Sequence, residues 1–229
     1  VKSEKLQVVM FTSANPGAGK TFVSSNLAMS IAQTNKKVVL VDVDIRKGTL
    51  SGIFSNSSGR MGLTHYLSGR TDDLNDIIGT SEVSDKLHII FSGPVPPNPA
   101  ELLLSERFDH LIAELRKQYD YIIVDNVPAG MVADASIVNR VADLTIFVVR
   151  SGVMDRRQLP ELEKMYREEQ LRNMSVILNG VSYERKGYGY GYGYGYGYGY
   201  GYGYGNDTHR HKRGKLESIK RTVFRFLKR

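Results

Sequence analysis

The sequence of 229 residues contains no cysteine. That absence rules out disulfide staples and cysteine-ligated metal, and it suits a reducing cytoplasm. Long apolar runs are missing as well: none approaches the roughly 18 residues of a membrane-spanning helix, and no signal peptide is visible. The chain opens on Val1, not Met, with strand-like residues from Leu6 onward, so a segment upstream of Val1 is expected. Charge of one sign is scarce over most of the length. Residues 206–229 carry nine Lys and Arg against Asp207 and Glu217, a net of +7, which equals the net charge of the whole chain, so the rest balances to zero.

The most informative stretch is Ala14-Asn15-Pro16-Gly17-Ala18-Gly19-Lys20-Thr21. Gly17 and Gly19 lack a Cβ, so the backbone can take positive φ and set successive N–H groups against phosphate oxygens. Lys20 can then reach the β and γ phosphates, Thr21 can put its hydroxyl on magnesium, and the following helix adds its positive end. Leu6–Thr12 reads as a buried strand. Thr21–Thr34 carries Val23, Leu27 and Ile31 at helical spacing. Strand before and helix after turn a short pattern into a nucleoside-triphosphate site; the bland alternative is an ordinary Gly-rich turn.

Two more apolar runs end in carboxylates. Lys37–Val43 leads to Asp42, with Asp44 and Arg46 just beyond, and Tyr121–Val124 leads to Asp125. Runs that are apolar on both faces suit a parallel sheet covered by helices, and in such sheets ligands sit at the carboxyl ends of the strands. Asp42, Asp44 and Asp125 are therefore expected to converge beside the phosphates, with Asp125 holding magnesium directly or through water. Any one of them alone would read equally well as a cap or turn aspartate. Arg46 reads as a γ-phosphate or neighbouring-subunit contact, or as a surface ion pair.

Further strands are predicted at Leu87–Phe91, Tyr119–Asp125, Leu144–Val149 and Ser175–Asn179. Short helical pieces are predicted at Leu63–Leu67 and Asp73–Ile78, a long helix ending near Gln118, and another over Arg157–Leu171. This alternation predicts an α/β, doubly wound, mostly parallel sheet. In the proline segment 94–101, Asn98, Pro99 and Glu101 predict a capping box that starts a helix. About 186 residues, enough for one α/β core, precede the low-complexity part.

From Gly187 to Gly205 glycine and tyrosine alternate, giving Tyr188, Tyr190, Tyr192, Tyr194, Tyr196, Tyr198, Tyr200, Tyr202 and Tyr204. Every second residue is glycine, so ordering this segment is costly and a flexible tail is expected. It reads either as an adhesive linker or, beside an ATP site, as substrate able to enter that site. In residues 206–229, Leu216, Ile219, Val223, Phe226 and Leu227 fall on one side of a helix, opposite Arg221, Arg225, Lys228 and Arg229. The pattern suits an anionic membrane surface or a solvated basic tail. Aromatic interleaving is thin there, so no nucleic-acid partner is expected.

These residues together resemble the cytoplasmic domain of the bacterial tyrosine kinases of the capsular and exopolysaccharide type, the BY-kinases, across residues 5–183. The resemblance is carried by Ser13–Thr21, by Val41-Asp42-Val43-Asp44-Ile45-Arg46-Lys47, and by Gly93–Leu103. Asp125 with Pro128, Val176–Asn179 and the tyrosine-rich tail complete it. Related partitioning and division-site ATPases lack the proline loop and have a signature lysine about where Asn15 stands. The family usually has Asp-Thr-Pro-Pro in place of Asp125-Asn126-Val127-Pro128, so Asn126 removes a hydroxyl near the metal. A proline commonly replaces Gly48.

The resemblance implies a P-loop NTPase-type domain (1–186), a Gly/Tyr tail (187–205) and a basic amphipathic segment (206–229). It implies ATP-dependent autophosphorylation of the nine tail tyrosines in a neighbouring subunit of a homo-oligomeric ring at the inner face of the membrane. Cycles of phosphorylation and removal by a protein-tyrosine phosphatase would govern polysaccharide polymerisation and export, with a transmembrane co-polymerase part, fused or separate. ATP would be held by Asn15, Pro16, Gly17, Ala18, Gly19, Lys20, Thr21, Phe22 and Asn179, and Mg2+ by Thr21, Asp42 and Asp125. Catalysis would rest on Lys20, Asp42 and Asp44. The competing expectation is a membrane-associated positioning ATPase without kinase activity; a third is a scaffold whose tail works by adhesion.

Overall fold

The computed structural model describes residues 6–54, 61–129 and 134–181; the nine tail tyrosines and residues 206–229 lie outside the described residues. Seven strands form one sheet: β1 (Val8–Thr12), β2 (Val38–Asp42), β3 (Ile78–Thr80), β4 (Leu87–Ile90), β5 (Tyr121–Asp125), β6 (Leu144–Arg150) and β7 (Ser175–Asn179). Their spatial order is β3-β4-β2-β5-β1-β6-β7, with every pairing parallel except β3 against β4.

Helices cover both faces: α1 (Lys20–Ala32), α2 (Leu63–Leu67), α3 (Pro99–Leu104), α4 (Glu106–Gln118), α5 (Asp134–Asn139) and α6 (Leu159–Arg167). This double cover is why the central strands are apolar throughout. Val8 and Met10 pack with α2, α3 and α4 residues such as Leu63, Leu103, Phe108 and Leu111. Val9 and Phe11 face the other way, against Ala28 and Ala32 of α1. Val39 and Val41 against Val38 and Leu40 divide β2 in the same manner. Among the described residues no helix is long and apolar enough to cross a membrane.

The structure corrects four local expectations. The long helix ending at Gln118 is two helices: Ser105 leaves the helical region at ψ 151, and the bend lets Leu103 and Phe108 both reach full burial. The predicted capping box does not form, since the Asn98 amide donates to the Glu101 carboxylate at 2.7 Å and caps no backbone N–H. Asp73–Ile78 is a short 3-10 turn over Leu74–Asp76, in which the Asp73 carboxylate accepts the Asn75 amide, and it runs into the edge strand β3. The last helix is shorter than the expected Arg157–Leu171, beginning after a 3-10 turn over Arg156–Gln158 and ending before Glu169, whose φ is 51°. No sequence signal had marked α5.

Candidate functional site

β1 delivers the chain to a loop, residues 13–19, that ends at the head of α1. Gly17 and Gly19 take φ of +77° and +93°, and Gly19 occupies the N-cap position of the helix. No side chain caps that end and no acidic residue lies in its first turn, so the first N–H groups of α1 stay available to an anion. A Cβ on Gly19 would lie 2.3 Å from the Asn179 amide nitrogen. That amide donates to the Ala18 carbonyl at 2.9 Å, fixing the loop to the end of β7. The loop needs glycine here for two reasons, left-handed backbone and close approach.

The carboxylates arrive as the sheet order demands. Asp42 and Asp125 end neighbouring strands in direct register. Burial lowers the Lys20 pKa, and the charges of Asp125 and Asp44 work against that shift, which sets both acids around the ammonium. Asp125 is 1% exposed and pushed up to about 6 by burial, with the hydroxyl of Thr21, the charge of Lys20 and the hydroxyl of Ser24 opposing. Its Oδ1 is buried without a hydrogen-bond partner. An orphaned carboxylate oxygen beside a threonine hydroxyl and a lysine fits a hard divalent cation of the kind magnesium is.

Asp42 has a different setting. It is fully buried; Oδ1 accepts the Asp44 amide at 3.1 Å and Oδ2 the Leu50 amide at 3.0 Å. Burial pushes it up to about 7, against the pull of the Leu50 amide. Both oxygens thus close the loop that follows β2. Asp44 is only half-buried, with Oδ1 accepting the Lys47 amide at 3.1 Å.

The structure therefore brings together Lys20, Thr21, Asp42, Asp44 and Asp125, with Asn179 bound to the loop from outside. Phe22 is 52% exposed on α1. Asn126 is buried, its side-chain nitrogen donating to the Met10 sulfur at 3.3 Å and its side-chain oxygen accepting the Val127 amide. Gly48 has φ +60°, which proline cannot adopt, and a Cβ there would meet the Ser92 hydroxyl at 2.6 Å.

Sequence reasoning missed three contacts. Arg150 donates to the Gly17 carbonyl at 2.8 Å, Gln158 pairs with the Asn15 amide at 2.9 Å, and the Thr49 and Thr21 hydroxyls lie 3.2 Å apart. A signal existed for Arg150: it is the charged end of an apolar strand next to β1.

Phosphate loop, lysine and strand-end aspartates on this sheet define a P-loop nucleotide-binding domain. The sequence matches the AAA domain family over residues 6–162. It is 37% identical over 179 residues to the tyrosine-protein kinase CpsD of Streptococcus pneumoniae, covering 78% of each chain. Among solved structures, the kinase domain of the Escherichia coli tyrosine kinase Etk superposes with TM-score 0.73 at 37% identity, over 84% of this chain and 74% of that one. The septum site-determining protein MinD of Pyrococcus horikoshii, complexed with Mg-ADP, is similar in fold alone: TM-score 0.61, 22% identity, 75% and 69% coverage. The chain belongs to the family of bacterial tyrosine-protein kinases.

Proposed function

We propose that this chain is an ATP-dependent protein-tyrosine autokinase that modifies the tyrosines of its own Gly/Tyr tail, in trans within a homo-oligomer, and so regulates capsular or exopolysaccharide polymerisation and export. The observation that carries this reading is the orphaned Asp125 oxygen beside Lys20 and Thr21 at an uncapped helix end, in a chain of the tyrosine-kinase family. The nine alternating tyrosines supply the acceptor chemistry. The positioning-ATPase reading has the basic amphipathic segment 206–229 and a likeness in fold alone behind it.

A tyrosine hydroxyl, with a pKa of about 10, is a poor nucleophile at neutral pH. Phosphoryl transfer asks chiefly for positioning and charge neutralisation, with a carboxylate taking the proton late. Lys20 and the backbone N–H groups of Gly17–Thr21 bind and orient the triphosphate. Thr21 and Asp125 are the residues that would hold magnesium, which when bound supplies charge neutralisation at the phosphate oxygens. The phenol oxygen bonds to the γ phosphorus, the bond from that phosphorus to the bridging oxygen breaks, ADP leaves, and Asp44 takes the phenol proton. Asp42 serves by holding the loop that carries Asp44, and as a metal ligand it would leave Asp44 its role; the alternative in which Asp42 is itself the base predicts that Asp44 is dispensable.

Regions 1–186, 187–205 and 206–229 divide the work into kinase, acceptor and basic segment. This chain covers 78% of CpsD but 24% of Etk, which supports a co-polymerase partner either separate or fused; action at the inner membrane face and an opposing phosphatase belong to the same proposal. The decisive experiment is incubation with Mg-ATP followed by intact mass. Phosphate increments on the wild-type protein, absent from Lys20→Met, are expected. ADP release with unchanged protein mass would favour the ATPase reading.

A further inference from the structure

Four side-chain hydrogen bonds hold the phosphate loop from one flank, and all of them involve the stretch that runs from the last residue of β6 to the last residue of β7. Arg150, the last residue of β6, donates from Nη1 to the Gly17 carbonyl at 2.8 Å. Asn179, its register partner at the end of β7, donates to the Ala18 carbonyl at 2.9 Å. Gln158 exchanges two bonds with the Asn15 side chain, at 2.9 and 3.4 Å. The Arg150 stem passes over Gly180, where a Cβ would lie 3.3 Å from its Cγ.

A trans peptide unit is planar, so its carbonyl and its N–H point in opposite directions. Holding the Gly17 carbonyl outward turns the Ala18 N–H the other way, and holding the Ala18 carbonyl outward does the same for the Gly19 N–H. These are two of the donors a phosphate needs. Gly17 has a φ of +77° and no atom within 4 Å of where its Cβ would be, so on the Gly17 side nothing resists rotation of the 17–18 peptide, whereas Ala18 is buried and resists it on the other. The guanidinium adds the restraint that the Gly17 side lacks.

We infer that Arg150 is a nucleotide-positioning residue: it presets the 17–18 peptide so that the loop presents its N–H groups to the β phosphate, and it does so through the loop, without touching phosphate. The inference rests on the nucleotide-binding reading and refines it. Because the β phosphate is common to ADP and ATP, the consequence is an equal loss of affinity for both when the brace is removed. A brace that pre-organises a loop raises affinity by lowering the cost of ordering it on binding.

The test is calorimetric titration of the full chain with Mg-ADP and Mg-ATP, comparing wild type, Arg150→Met and Arg150→Lys. Thermal melts of the nucleotide-free proteins and the split of autophosphorylation into KM for ATP and kcat accompany it. Arg150→Met is expected to bind both nucleotides about tenfold more weakly, a change of about 1.4 kcal/mol. Its KM should rise by the same factor with kcat and the nucleotide-free melting temperature unchanged, and Arg150→Lys, which keeps one donor, should recover part of the loss. A loss for ATP with ADP untouched would mean a direct γ-phosphate contact and would overturn the inference. So would wild-type affinity in Arg150→Met, or a weakening that simply follows a lowered melting temperature. Should Arg150→Met fail to fold, Arg150→Gln, too short to keep the bond to the Gly17 carbonyl, carries the same expectation of equal loss, and unequal or absent loss there refutes it. Absence of binding by the wild type would instead remove the nucleotide-binding reading itself.

Discussion

Replacing Asp125 by Asn separates what the site costs the fold from what it does for the ligand. The folded chain holds the Asp125 carboxyl at about 6 against an ordinary 3.8, because burial penalises its charge more than Thr21, Lys20 and Ser24 relieve it. A group whose folded pKa is raised keeps its proton longer when folded, so its cost to stability is absent below 3.8, grows between 3.8 and about 6, and is complete above that. At 1.36 kcal/mol per pKa unit, the full cost at pH 8 is roughly 3 kcal/mol. Asparagine mimics the protonated acid. Asp125→Asn should therefore raise the melting temperature at pH 8 without ligand by several degrees, at roughly 2–4 °C per kcal/mol for a domain of this size. The advantage should shrink towards nothing near pH 4. Mg-ATP at a thousand times its Kd stabilises a binding-competent protein by about 4.1 kcal/mol; the wild type gains this and the variant does not, so their order reverses. Differential scanning fluorimetry at pH 8 and pH 4, with chelator or with Mg-ATP, reads every arm. A ligand-free variant that melts at or below wild type at pH 8, or an advantage independent of pH, would refute the reasoning.

Gly19→Ala should lose nucleotide binding in titration calorimetry while costing the fold about 1–3 kcal/mol, since alanine must hold φ +93° and displace the Asn179 amide from the Ala18 carbonyl. Asp44→Asn should leave Mg-ATP affinity within about twofold yet slow autophosphorylation by roughly 10²–10⁴, the usual worth of a general base; retained full activity would reassign that role. Complete tail phosphorylation would add roughly −14 to −18 of charge directly before the +7 segment. The phosphorylated protein should therefore sediment less with phosphatidylserine vesicles than the unphosphorylated one, and equal sedimentation would end that idea.

Most of this architecture was legible because it is written in local patterns. The runs before Thr12, Asp42 and Asp125 are apolar without alternation, and the structure buries both of their faces. The phosphate loop and the aspartates that end β2 and β5 lie where local pattern puts them, at the carboxyl ends of parallel strands. What escaped was decided by packing. β3 is three residues that pair antiparallel at the sheet edge, and α5 is a single six-residue helix; neither is long enough to show a period. The break at Ser105 follows from the need to bury Leu103 and Phe108 together, which no local propensity records.

The two β2 aspartates show where pattern reading stops and why. In sequence, Asp42 and Asp44 are equivalent acids two residues apart at the end of one strand, and two-residue spacing places them on the same side. The chain leaves the ladder at Asp42, however, and Ile45 donates back to the Val43 carbonyl at 2.8 Å, so a tight turn intervenes. Asp42 is left inside the sheet layer, where its oxygens meet the amides of Asp44 and Leu50, while Asp44 is carried out towards Lys20. Asp42 anchors the loop that follows β2, and Asp44 stands on that loop. The Arg150 brace follows the same logic at the opposite flank: its carbonyl partner lies 133 positions away in the chain, and only the placing of β6 beside β1 brings them together. Chemistry-bearing residues can be named from a motif, but the groups that aim them are recruited across the sheet, and their identity depends on strand order.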